Sequence, residues 1–285
     1  MPELPEVEIL RRHLETHIVG SRIRKVNIFK KRIVRPDAVS ELKSIVAGRL
    51  ILGIDRRGKY LLVKLGPESD SIQLLIHLGM TGRLYWADKS GDAYREKHLA
   101  ILLECDRGNL CYVDSRTFGR WSLDLSSIET MGPEPLDSTS FHVRYLKEKF
   151  RNRKTKVKDF LMNQSNVAGL GNIYVCEALH AAGIHPLQQV GLINGDEMNK
   201  LIRSIRKVLR SALKIGESSQ LNLHNAETGD GFFYFGRSGK SDRVIQERFR
   251  VYDREGKPCR DCESPVERIV MAQRSTYFCP DCQSI

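Results

Sequence analysis

The chain opens Met1-Pro2-Glu3-Leu4-Pro5-Glu6, which sets two carboxylates beside a proline next to the amino terminus. Removing an initiator methionine ahead of a small residue would leave Pro2 as a free secondary amine. An α-amino group has a pKa of about 7.7–8.0 against about 10.4 for lysine, so roughly a tenth of it is neutral near pH 7. A neutral amine attacks an electrophilic carbon and forms an iminium ion, the covalent route through a Schiff base. Glu3 or Glu6 could carry protons to and from a sugar oxygen or a leaving group. The same residues also suit an ordinary helix start, where the dipole favours acids and the first turn accepts proline.

A second constellation lies at the other end. Cys259, Cys262, Cys279 and Cys282 form C-x2-C-x16-C-x2-C. Tetrahedral zinc takes four thiolates, and each C-x2-C pair supplies two from one tight turn. Two disulfides are the alternative, but zinc in a closed, structural site is preferred for an intracellular chain. Arg274 sits in the spacer and would fall near the outer end of a hairpin, where it could make a bidentate phosphate contact or be an ordinary surface arginine. Val167-Ala168-Gly169-Leu170-Gly171-Asn172 is a third motif. Its glycines permit close backbone approach, and the helix start that follows offers free N–H groups to a phosphate, with Asn172 as cap or donor. A plain helix–turn–helix corner would read the same way. Cys105, Cys111 and Cys176 lie in apolar surroundings and read as buried thiols.

Positioning these residues takes two domains, as the 285-residue length implies. The 41% hydrophobic content excludes wholesale disorder. No apolar run approaches the ~18–20 residues of a membrane span, and the start lacks a secretory signal; the expectation is a soluble, cytoplasmic protein with no membrane contact. With 46 Lys+Arg against 35 Asp+Glu, the net charge of +11 points to a polyanion, nucleic acid first. Residues 144–158 hold eight Lys/Arg against the single acid Glu148. A helix is expected over 3–19, then short strands from about 22 to 125, with a hairpin of 49–56 and 59–65 around Arg57-Gly58. Further strands at 71–78, 83–86, 98–104 and 110–114 make this a β-sandwich. Residues 131–140 read as a linker. Helices follow at 141–150, 154–163, 172–182 and 196–215, the last with an apolar face opposite a basic face read as solvated. An irregular loop is expected over 216–248. The class is therefore α+β: an N-terminal domain over 1–130, a helical domain over 141–248 and a zinc module over 249–285.

Five stretches stand in one order: MPELPEVE at the start, RRGKYLL at 56–62, IHLGMTG at 76–82, GLGNIYVCEALHAAGIHP at 169–186, and the cysteine pairs with AQRSTYFC between them. Together, over nearly the whole chain, they closely resemble the formamidopyrimidine-DNA glycosylase family of base-excision repair enzymes. The resemblance implies an N-terminal β-sandwich with flanking helices and a helical helix–two-turn–helix domain carrying a four-cysteine zinc-finger hairpin. It implies a bifunctional glycosylase and abasic-site lyase acting on double-stranded DNA with oxidised purines or abasic sites, as a monomer with one structural zinc. Pro2 would be the nucleophile and Glu3 the acid/base, with Lys59 and Arg274 at phosphates beside the lesion. Glu6, His77, Met80, Arg116, Phe118, Lys156 and Asn172 would contact DNA, with Met80, Arg116 and Phe118 filling the gap left by the extruded base. Alternatives are an oxidised-pyrimidine glycosylase, whose branch usually has Gly in place of Leu4, and a non-catalytic damage-binding protein. Two departures stand out. Ser115-Arg116-Thr117-Phe118-Gly119 replaces Pro-Arg-Arg-Phe-Gly, and the stretch from Gly216 to Asn222 lacks the family's Gly-Gly-Thr-Thr pattern, so the preferred lesion stays open.

Overall fold

The computed structural model describes residues 1–87, 94–218 and 249–284. Two compact units emerge: the first is Met1–Glu129 with residues 216–218 at the end of the last helix, the second Thr130–Ile215 with the described residues from 249 onward. The first begins with helix α1 (Leu4–Ile18) and strand β1 (Ile23–Ile28), followed by α2 (Val39–Val46). Strands β2 (Leu50–Arg57), β3 (Tyr60–Gly66), β4 (Ile72–His77), β5 (Arg83–Ala87), β6 (Leu99–Cys105), β7 (Asn109–Val113) and β8 (Arg120–Ser122) complete it with the short α3 (Ser126–Glu129). The strands pair antiparallel into two four-stranded sheets, ordered β1-β6-β7-β5 and β2-β3-β4-β8. Alternate residues of each strand face one core, as strand geometry requires. Ile101, Leu103, Leu110 and Tyr112 from one sheet meet the same cluster as Leu61, Val63, Leu74, Ile76 and Trp121 from the other. Val7, Leu10, Leu14 and Ile18, on one stripe of α1, join that cluster. The in-between residues Leu102, Cys111 and Val113 make a smaller cluster on the opposite face.

The second unit holds α4 (Val143–Phe150), α5 (Val157–Met162), α6 (Asn172–Ala182) and α7 (Gly195–Ser218), then the hairpin β9 (Glu267–Met271) and β10 (Arg274–Phe278). Helix α6 is buried nearly all round and stops at Gly183, whose φ of +66° suits glycine. Glu177 on α6 accepts the backbone N–H groups of Arg250, Val251 and Tyr252 at 2.9, 3.0 and 2.9 Å and so anchors the stretch that enters the cysteine module.

Some expected elements are displaced. The β2–β3 turn is Gly58-Lys59, one residue later than expected, because positive φ falls at Gly58, the first loop residue. Residues 154–156 are not helical; Lys156 is the cap of α5. Helix α7 runs on to Ser218, so 216–218 are helical, and the rest of the expected loop, 219–248, lies outside the described residues. The basic face of α7 is not uniformly solvated, since Arg206 donates to the carbonyls of Pro135 and Phe141. No helix among the described residues is long and apolar enough to cross a membrane.

Candidate nucleic-acid interface and active site

In the first unit the chemistry gathers at the start of α1. Pro2 is buried, and Glu3, Glu6 and Lys59 are only 2%, 1% and 5% exposed. The Glu3 N–H donates to Glu6 Oε2 at 2.9 Å, the return half of a capping box. The terminal amine, borne by Met1, is held below its usual 8.0 chiefly by burial; Glu3 and Glu6 pull it up and Lys59 pushes it down. Glu3, Glu6 and Lys59 are thus all near enough to act on that amine. An amine with a lowered pKa gives up its proton more readily, and with carboxyl groups beside it can add to an electrophilic carbon and pass protons.

Lys59 reaches this place through a relay the sequence reading missed. Glu8 on α1 accepts from Arg56 at 3.0 Å and also pairs with Arg11 and Arg12. Arg56 donates in turn to the Gly58 carbonyl at 2.9 Å. The helix carrying Glu3 and Glu6 is therefore tied to the turn carrying Lys59. His77 lies across the sheet, paired in register with Tyr60, its ring tilted against that of Tyr60 with 4.7 Å between the centroids. Its Nδ1 accepts the Gly79 N–H at 3.2 Å, which leaves Nε2 as the donor. Burial first, then Lys59, Arg120 and Arg35, bring its pKa down to about 4. Arg120 Nε is buried with no hydrogen-bond partner among the described residues. Three cations act on one neutral imidazole whose Nε2–H is a donor, a combination that suits an anion. Nothing in the local sequence of Arg35 or Arg120 marks them for it.

Met80 and Phe118 are 44% and 41% exposed, unusual for large apolar side chains. Met80 stands on the turn after β4, and Phe118 on the loop between β7 and β8. The Arg116 guanidinium lies 4.6 Å from the centre of the Phe118 ring. An exposed apolar pair with a stacked cation fits insertion into a base stack.

In the second unit, the glycine-rich corner before α6 is held by Gln164, which accepts the Gly169 N–H at 2.8 Å and donates to the Leu170 carbonyl at 2.9 Å. Asn172 Nδ2 donates to the Ser275 carbonyl at 2.8 Å, while its buried Oδ1 has no partner among the described residues. The buried Lys158 donates to Thr276 Oγ1. These bonds fix β10 on the corner. Arg274 is exposed as the first residue of β10, directly after the Ala272-Gln273 turn, both of whose residues have positive φ. Lys156 is half-buried, its backbone bridged to Gln189.

The four cysteine sulfurs lie within 4.8 Å of one another, and all four residues are free of disulfides. Cys259–Cys282 and Cys262–Cys279 sulfur separations are 3.9 and 3.3 Å. Zn–S bonds of about 2.3 Å at tetrahedral angles give an edge near 3.8 Å, so the donor set fits zinc. The Asp261 and Cys282 N–H groups point at the Cys259 and Cys279 sulfurs at 3.5 Å each, as thiolates require. His180 Nε2 lies 3.4 Å from Cys259 Sγ, a contact between residues too far apart in sequence to foresee.

Residues 1–121 match the family model of the formamidopyrimidine-DNA glycosylase N-terminal domain. Residues 131–222 match that of the formamidopyrimidine-DNA glycosylase H2TH domain, and 256–285 the zinc finger found in FPG and IleRS. The chain is 41% identical over 292 residues to a formamidopyrimidine-DNA glycosylase of Desulforamulus reducens, covering 99% of each. It is 41% identical over 291 residues to one of Chloroflexus aurantiacus, covering 99% of this chain and 98% of that one. Among solved structures, Lactococcus lactis Fpg in complex with abasic-site DNA is similar with a TM-score of 0.85 and 35% identity, over 99% of this chain and 100% of that one. The same protein with DNA containing Fapy-dG gives a TM-score of 0.84, 35% identity and the same coverage.

Proposed function

This chain belongs to the formamidopyrimidine-DNA glycosylase family, and from that premise we propose a bifunctional base-excision enzyme. It removes oxidised purines, formamidopyrimidines above all, from duplex DNA and then cuts the strand. The observation that carries the reading is the buried trio Glu3, Glu6 and Lys59 acting on the terminal amine. Loss of Met1 transfers that amine to Pro2.

A base in a stacked duplex cannot be reached, so the nucleotide must turn out of the helix at a cost of a few kcal/mol. Lys59, His77, Arg35 and Arg120 bind a backbone phosphate on the first unit, and Asn172, Lys156 and Arg274 bind phosphates on the second; their binding energy offsets that cost. Met80, Arg116 and Phe118 fill the vacated space. The Pro2 nitrogen attacks C1′ and the bond from C1′ to the base breaks; the proton that the nitrogen sheds on bonding to carbon leaves on the base. Glu3 gives a proton to the ring oxygen as the sugar opens, leaving an iminium joined to Pro2. The iminium makes the C2′ proton acidic. Its removal expels the 3′ phosphate, a second elimination expels the 5′ phosphate, and water releases the amine. The four cysteines hold one zinc ion, which keeps the Arg274 hairpin folded.

The test is a panel of duplexes carrying a formamidopyrimidine, 8-oxoguanine, an oxidised pyrimidine or an abasic site. Cleavage of the formamidopyrimidine and abasic duplexes with phosphate left on both ends is the expected result. Binding of the formamidopyrimidine and abasic duplexes without cleavage of either would refute it.

A further inference from the structure

The three exposed residues read above as a wedge come from two separate loops, and one buried side chain joins those loops. Asp114, at the end of β7, is fully buried. Its Oδ1 accepts the Thr81 hydroxyl at 2.6 Å and the Arg116 N–H at 3.1 Å. Its Oδ2 accepts the Gly119 N–H at 2.9 Å and the Tyr112 hydroxyl at 3.3 Å. The Leu78 carbonyl lies 3.2 Å from the same phenol, whose one proton is shared between that oxygen and Asp114. One carboxylate and one phenol thus hold residues on both sides of Met80 and on both sides of Phe118.

The contact between the loops leaves no room for slack. A Cβ at Gly79 would stand 2.6 Å from the backbone of Phe118 and Gly119, and one at Gly119 only 1.8 Å from the Tyr112 hydroxyl. Between the two N–H groups that Asp114 holds lies Thr117, with φ of +57°. A β-branched residue in the left-handed region is strained and persists only where its surroundings over-determine it. The bonds to the Arg116 and Gly119 N–H groups bracket that residue, and the turn they enforce brings Arg116 over Phe118.

We propose that Asp114 is a positioning residue of the wedge: its carboxylate locks residues 78–82 to residues 115–119, so that Met80, Arg116 and Phe118 enter the base stack as one rigid unit. This rests on the wedge reading given under Proposed function. Asp114 touches neither DNA nor the reacting atoms; it acts through the backbone it holds. Asparagine keeps one acceptor oxygen and turns an N–H₂ group to the other side; the hydroxyl there can turn round and accept, but the backbone N–H beside it, of Arg116 or Gly119, loses its carboxylate acceptor.

The experiment compares Asp114→Asn, Thr117→Gly and the double variant on two substrates: a formamidopyrimidine in duplex DNA, which needs a wedge, and an abasic site in single-stranded DNA, which has no stack to enter. Losing hydrogen bonds to a charged acceptor should lower duplex kcat/KM of D114N by ~10–100-fold, with single-strand cleavage unchanged. Glycine at 117 relieves the strained backbone, so the double variant should regain much of the duplex activity. Equal loss on both substrates, or no recovery in the double variant, would overturn the proposal. If D114N does not fold, Thr81→Val removes one donor to the same carboxylate and should show the same split in smaller degree; an even loss overturns the proposal there too. Hydrogen exchange at the Arg116 and Gly119 amides reads the clamp without any reference to catalysis: faster exchange in the variant supports it and unchanged exchange refutes it. Wild-type protein that cleaves neither substrate would count against the proposed function, while that exchange measurement would still decide on the clamp.

Discussion

Replacing His77 by glutamine should flatten the dependence of stability on pH between about pH 4 and 6.5. In the folded protein the imidazole is held near 4, first by burial and then by Lys59, Arg120 and Arg35. The unfolded chain protonates near 6.5, so within that window it binds more protons than the folded chain, and stability falls as pH falls. The contribution is complete above pH 6.5 and lost below about 4. A fall from 6.5 to about 4 corresponds to roughly 3 kcal/mol against the imidazolium, at about 1.36 kcal/mol per pH unit. Solvent reaches part of the ring, which reduces the observable effect to about 1–3 kcal/mol. Urea denaturation of wild type and H77Q across pH 4–7.5 measures it: the two curves should converge or cross as the pH is lowered. Lys59→Met should raise the His77 pKa, read by NMR of the imidazole, though burial should keep it below 6.5. Parallel denaturation curves, or an imidazole titrating at 6.5 in the wild type, would refute the burial and the cationic surroundings of His77.

Three further outcomes follow from the proposed chemistry. Glu3→Gln should reduce base excision by ~100–10,000-fold, the usual worth of a positioned acid/base, while DNA affinity measured by anisotropy stays the same; normal excision would remove Glu3 from that role. Arg274→Ala should weaken binding across all sequences and lower the slope of log K against log salt by about one, and an unchanged slope would take it off the phosphate. Stripping zinc with a chelator, followed by a colorimetric zinc assay, should release one equivalent and lower DNA affinity as the hairpin unfolds; undiminished affinity would mean that the hairpin does not contact DNA.

The elements that were legible in sequence carried their own punctuation. Helix α6 was readable to the residue because Gly171 precedes it and Gly183 ends it in the left-handed region. The cysteine spacing alone foretold the cluster of four sulfurs. Helix α2 was hidden: it is only eight residues long, its cap residue Ala38 offers no side-chain bond, and it sits among strands. Strand β8 has three residues and takes its place from pairing with β4, which no local pattern reveals. For the candidate site, Pro2, Glu3 and Lys59 were singled out by type and by resemblance, whereas Arg35, Arg120, Gln164 and Asp114 were not. Arg35 reaches the Phe118 carbonyl and Asp114 the Thr81 hydroxyl, both distant in the chain, while Gln164 and Arg120 bond to loop neighbours that no periodicity marks. Asp114 reads locally as the last residue of a strand, and only burial and the four donors around the carboxylate distinguish it.

The account turns on which atom becomes bonded to the sugar. Purified protein, incubated with abasic duplex and borohydride and then digested for peptide mass spectrometry, answers it directly. The account predicts a reduced deoxyribose adduct on a peptide that begins at Pro2, with Met1 gone. An adduct on a lysine side chain, or efficient cleavage by protein that keeps Met1, would contradict it.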